Sequence, residues 1–128
     1  MNLLLDTQVF LWWQQSSGRL NLDVRRAIAD PAHTVFISAA TVWEIAIKRR
    51  LGKLTFHGSV VAAIGANGFH ELPVLPVDAE AAGELAWDHA DPFDRLLVAQ
   101  AARHGMTLVT ADRHIRSFGA VAQLWAET

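Results

Sequence analysis

Leu3-Leu4-Leu5-Asp6-Thr7 begins with an unbroken apolar run and stops at an acid. A short run with no polar alternation is the pattern of a central parallel strand covered on both faces. Working outward, Thr7 to Gln14 has the length and composition of a helix, which Ser16-Ser17-Gly18 breaks. Asn21-Leu22-Asp23 opens a second helix running to about Asp30, with Pro31 as its stop. The β-branched stretch Thr34 to Ile37 predicts strand two, and Ser38 can cap a helix from about Ala39 to Arg50. Ser59 to Asn67 predicts a further helix, and Leu72 to Leu75 a strand that Pro73 and Pro76 confine to a sheet edge. A helix from about Asp78 to Trp87 follows, then one from Asp91-Pro92 to His104, a strand at Thr107 to Val109, a helix at Asp112 to Phe118 and a strand within Val121 to Trp125. Strands alternating with helices imply an α/β domain whose mainly parallel sheet lies between helical layers.

The chain has 128 residues, which suits one domain spanning 1–128. Hydrophobic residues form 52% of it and charged residues 19%, so a disordered or solvating segment is excluded. There is no cysteine, which removes disulfides, thiolate metal sites and cysteine nucleophiles together and fits a reducing cytosolic setting. No apolar run approaches the ~20 residues of a membrane span. The first residues lack the basic flank and cleavage site of a signal peptide. A net charge of −2 means that a nucleic-acid partner must be held by a local basic patch.

In open parallel sheets, sites form beyond the carboxyl ends of the strands. Asp6 directly follows the first strand and Asp112 follows a late one, although each could serve only as a helix cap. Asp91-Pro92-Phe93-Asp94 matches a helix entrance, with Asp91 as cap and Asp94 at the third helical position. Arg95 beside it offers a plain ion-pair partner. Glu44 stands in Thr41-Val42-Trp43-Glu44-Ile45-Ala46-Ile47, a helix apolar on nearly every side. An exposed Glu44–Lys48 pair would explain it, and so would a cation at a buried carboxylate. Four acids gathered at one sheet edge repel each other and raise one another's pKa, a strain that a divalent ion relieves. Hard oxygen donors without Cys point to Mg²⁺ or Mn²⁺.

With Leu3-Leu4-Leu5-Asp6-Thr7, Ser38 to Lys48, His89 to Ala101 and Leu108-Val109-Thr110-Ala111-Asp112 in this order, the chain resembles the PIN domain family and, within it, VapC-type toxin ribonucleases of toxin–antitoxin pairs. The resemblance spans essentially the whole length. It implies a PIN-like three-layer α/β/α fold with a sheet of four or five strands, and an acidic pocket that binds Mg²⁺ or Mn²⁺ and cuts RNA. By position, the implied catalytic acids are Asp6, Glu44, Asp94 and Asp112. Asp6 and Asp94 would hold the metal, with Glu44 and Asp112 acting directly or through water. Asp91 is the alternative for the third acid, and Thr110 either sits near the metal or caps the last helix. The resemblance also implies a homodimer and a small VapB-type antitoxin partner.

An RNA phosphate needs cations to approach such a pocket. Lys48, Arg49, Arg50 and Lys53 form the dense basic cluster, and Arg95, Arg113 and Arg116 lie near the later motifs. His89 and His114 read as surface or capping residues. Trp12 and Trp13 are adjacent, so at least one is expected to be exposed, where it could serve a protein partner. A catalytically silent module that binds RNA or protein is the alternative function. A haloacid-dehalogenase-type phosphatase needs a second acid two residues after the first, and position 8 is Gln8.

Overall fold

The computed structural model describes residues 1–128. Its order is β1 (Asn2–Leu5), α1 (Thr7–Gln14), α2 (Leu22–Ala29), β2 (Thr34–Ser38), α3 (Ala39–Arg50), α4 (Val60–Ala66), β3 (His70–Leu72), α5 (Pro76–Glu84), α6 (Pro92–His104), β4 (Thr107–Thr110), α7 (Arg113–Phe118) and β5 (Gln123–Trp125). The five strands form one parallel sheet in the order β3-β2-β1-β4-β5. β1 sits at the centre, with Leu4 opposite Phe36 on one side and Leu108 on the other.

Successive strand side chains point to opposite faces, and here each face has its own core. Leu3 and Leu5 join Val35, Ile37 and Val109 under α1, α2 and α4, with Phe10, Trp12, Val24 and Ile64. Leu4 and Leu108 join Leu97, Val98, Ala101 and Ile115 of α6 and α7 on the other face. The result is three layers, helices–sheet–helices, as the apolar run at residues 3–5 requires. No helix is long and apolar enough to cross a membrane.

The boundaries depart from expectation around the prolines. β3 is His70–Leu72, not Leu72–Leu75, because Pro73 has no N–H with which to extend the ladder. α5 starts at Pro76 rather than Asp78, since the Asp78 carboxylate reaches back to the Leu75 N–H at 2.9 Å. It ends at Glu84 rather than Trp87, because Leu85 leaves the helical region. β5 is confined to Gln123–Trp125. The expectation for the paired tryptophans also fails: Trp12 is buried, and Trp13 is half-buried with its indole N–H donating to Asn67 Oδ1 at 3.0 Å. The exposed tryptophan is Trp43, 57% accessible, on an apolar groove with Val42 and Val61.

Candidate metal centre

β1, β2 and β4 end at the same edge of the sheet because they run parallel, and each hands the chain directly to a helix or a capping turn. Asp6, Glu44, Asp91, Asp94 and Asp112 come together there, lining one pocket of about 320 Å³ with Thr7, Gln8, Lys48 and Lys53. The three aspartates at helix starts cap and face the pocket at once. Asp6 Oδ1 accepts from the Val9 N–H at 2.8 Å, Asp91 Oδ1 from Phe93 and Asp94, and Asp112 Oδ1 from His114 and Ile115. Capping and pocket formation are therefore not rival explanations; one carboxylate does both.

Asp6 is buried, and Oδ2 accepts from Thr110 Oγ1 at 2.7 Å and from the Ala111 N–H at 3.0 Å. Burial nonetheless pushes its carboxyl up to about 6; its three hydrogen bonds oppose this and the Asp112 charge adds to it. Thr110 does not cap α7. Asp112 caps it, while the Thr110 hydroxyl accepts from the Asp112 N–H at 3.0 Å and donates to Asp6, tying the two acids together.

Glu44 is buried and held at both oxygens, Oε1 by the Thr7 hydroxyl at 2.6 Å and Oε2 by Lys48 Nζ at 2.6 Å. With the Thr7 proton directed to Glu44, the Thr41 hydroxyl donates to Thr7 at 3.1 Å. The hydrogen bond to Glu44 raises the Lys48 pKa, and the charges of Asp91 and Asp94 add to it. Lys48 is thus the pocket's internal countercharge. Burial pushes Asp94 up to about 7, and the charges of Asp91 and Asp112 reinforce this against a 2.7 Å hydrogen bond from His89 Nε2.

Two carboxylates with raised pKa facing a common space form an oxygen-rich, electron-dense donor set, which suits a hard divalent ion. Donor atoms of His89, Asp91 and Asp94 lie within 4.8 Å of one another, as do those of His89, Asp112 and His114. Asp94 Oδ1 and Asp112 Oδ2 take no hydrogen bond from the protein, leaving oxygens for a ligand.

The cations fall into two groups. Lys48 and Lys53 line the pocket, and Arg50 and Arg113 are exposed. Arg49 donates to the Phe56 and Gly58 carbonyls, and Arg116 stacks over the Trp125 ring at 4.4 Å. Arg95 forms neither an RNA-facing cation nor the expected pair with Asp94. All five of its N–H groups are taken by the Ala82, Gly83, Leu85, Trp87 and His89 carbonyls, so it clamps the end of α5 and the following loop onto α6. Thr7 and His89, which sequence reasoning did not assign to the site, are its contributors beyond the acids. Thr7 had a signal in its place directly after Asp6, whereas His89 had none.

The PIN domain family profile matches residues 3–121. Ribonuclease VapC22 of Mycobacterium tuberculosis is 30% identical over 118 residues, 90% of each chain. Among solved structures, VapBC2 of Rickettsia felis bound to a DNA fragment from its promoter matches with a TM-score of 0.67 at 13% identity, covering 99% of this chain and 100% of that one. A toxin–antitoxin complex from Klebsiella pneumoniae matches with a TM-score of 0.65 at 16% identity, covering 95% of each. Identities this low support the fold alone; the family rests on the sequence match.

Proposed function

The chain belongs to the PIN-domain family, and on that premise we propose that it is a metal-dependent endoribonuclease, the cytoplasmic toxin of a VapBC-type toxin–antitoxin pair. The carrying observation is the convergence of Asp6, Glu44, Asp94 and Asp112 from separated parts of the chain on one pocket. The similarity to a ribonuclease of the VapC type supports the choice of reaction, and the likeness to toxin–antitoxin complexes supports a small antitoxin partner. The same family similarity favours a homodimer.

Asp6 and Asp94 would hold Mg²⁺ or Mn²⁺, with Glu44 and Asp112 completing the shell directly or through water and Asp91 assisting Asp94. When bound, the ion supplies Lewis-acid activation of water and neutralises charge on the scissile phosphate. The chain's own residues do the rest. Thr110 fixes Asp6, and Thr7 fixes Glu44, so neither carboxylate needs to reorganise when substrate arrives. Lys48 and Lys53 offset the repulsion between carboxylates and the RNA backbone at the pocket mouth, with Arg49, Arg50 and Arg113 as outlying contacts.

Cleavage-site mapping on total RNA, with Mg²⁺, Mn²⁺ or a chelator, tests the proposal. Metal-dependent cuts that Asp94→Asn abolishes are expected. Metal binding without any cleavage would favour the silent RNA- or protein-binding module.

A further inference from the structure

Four aromatic rings stack in a column beside the acidic pocket. Phe118 lies on Trp87 with centroids 4.7 Å apart, Trp87 on His89 at 4.8 Å, and His89 on His114 at 4.4 Å with only 9° between the ring planes. His114 ends the column. Its side chain is 69% exposed, with one face against His89 and no ring against the other. Two contacts join the column to the acids, His89 Nε2 to Asp94 Oδ2 at 2.7 Å and His114 Nδ1 to Asp112 Oδ1 at 3.6 Å. A cleft of about 500 Å³ runs along it, lined by Trp87, Asp88, His89 and His114 among others.

We propose that the free face of His114 is a stacking subsite for an unpaired nucleobase next to the scissile phosphate, so that the substrate is RNA single-stranded at the cleaved step. This deepens the nuclease reading above and rests on it. An acidic pocket repels the backbone it must cut, so part of the binding has to come from groups indifferent to charge. A π-face serves any base, and a base in a duplex has no free face to offer. A base on His114 extends a column already three rings deep, and the exposed Arg113 beside it offers a cation to the adjoining phosphate. The histidines are poorly arranged to ligate one ion together: at 9° their in-plane lone pairs run side by side rather than converging.

The test compares wild type, His114→Ala and His114→Phe with a ten-nucleotide single-stranded RNA carrying 2-aminopurine and with its duplex. Three quantities are read: fluorescence quenching on binding, the KM and kcat of Mn²⁺-dependent cleavage, and the melting shift with Mn²⁺. Stacking predicts quenching by the single strand only. It also predicts a KM about tenfold higher in His114→Ala, recovery in His114→Phe, and the same Mn²⁺ shift in all three proteins. Overturning results are a His114→Phe variant as impaired as His114→Ala with its Mn²⁺ shift lost, which makes His114 a metal ligand, or equal KM in all three, or a duplex bound and cut as well as the single strand. If wild type quenches the probe and His114→Ala does not, yet no RNA is cut, the nuclease reading fails and the subsite stands; no quenching by wild type removes the subsite.

Discussion

Thr110 donates its hydroxyl proton to Asp6 Oδ2 at 2.7 Å, and the same hydroxyl accepts from the Asp112 N–H at 3.0 Å. One small side chain therefore sets the spacing of two acids that come from opposite ends of the polypeptide. Thr110→Val keeps the shape and removes both bonds, leaving a buried carboxylate short of a donor. It should cost about 2 kcal/mol in denaturant unfolding, with Thr110→Ser recovering most of the loss. Equal stability of the valine and threonine proteins would show that the bond does not matter to folding.

Asp94→Asn should lower RNA cleavage by at least about 100-fold, more than outer-shell partners of a metal usually contribute. It should also make the metal-free protein more stable, by about 1 kcal/mol, because it relieves carboxylate repulsion at a functional site. A chemical melt alongside the cleavage assay checks both. Loss of activity together with loss of folding would contradict the second half.

The raised carboxyls give a definite pH signature. Asp6 titrates at about 6 and Asp94 at about 7 in the folded protein, against about 4 when unfolded. Between these values the folded chain binds more protons than the unfolded one, so stability is highest at low pH and falls as pH rises from about 4 to 7. Mn²⁺ competes for the same oxygens, so its stabilising melting shift should grow over the same interval. A metal shift independent of pH from 5 to 8 would count against Asp6 and Asp94 as its ligands.

Lys48→Met removes the countercharge from Glu44 and leaves Oε2 without its donor. Metal-free stability should fall by about 1–2 kcal/mol, while Mn²⁺ should bind more tightly because the pocket is more negative. Calorimetric titration of the variant reads both signs in opposite directions, and weaker metal binding would refute the countercharge role.

Arg95→Ala unties the loop between α5 and α6, freeing five carbonyls. A loss of about 3 kcal/mol is expected, and Arg95→Lys should not restore it, since a single ammonium cannot reproduce the guanidinium fork. Amide exchange should quicken first at residues 85–91. An unchanged exchange rate there would show the clamp to be dispensable.

What could be read in advance follows physical lines. Leu3-Leu4-Leu5 declares a strand buried on two faces because nothing polar interrupts it, and the aspartates declare helix starts because capping is local chemistry. β3 was harder to place, since His70 and Glu71 are exposed at a sheet edge and leave no apolar pattern over three residues. Arg95 was misread because its partners are main-chain carbonyls, which no side-chain pattern reports. The ring column was invisible for a different reason: Trp87, His89, His114 and Phe118 are brought together only when the loop before α6 meets α7.

The central place of β1 also governs when the molecule becomes dangerous during its own synthesis. Asp6 leaves the ribosome almost at once, but Thr110 lies 104 positions later, and Leu5 waits for Val109 to close the sheet beside it. A nascent or prematurely terminated chain lacking β4 carries two of the acids without the scaffold that gathers them. The assembled centre therefore exists only once translation is nearly finished, and fragments released early should be harmless to the cell that makes them.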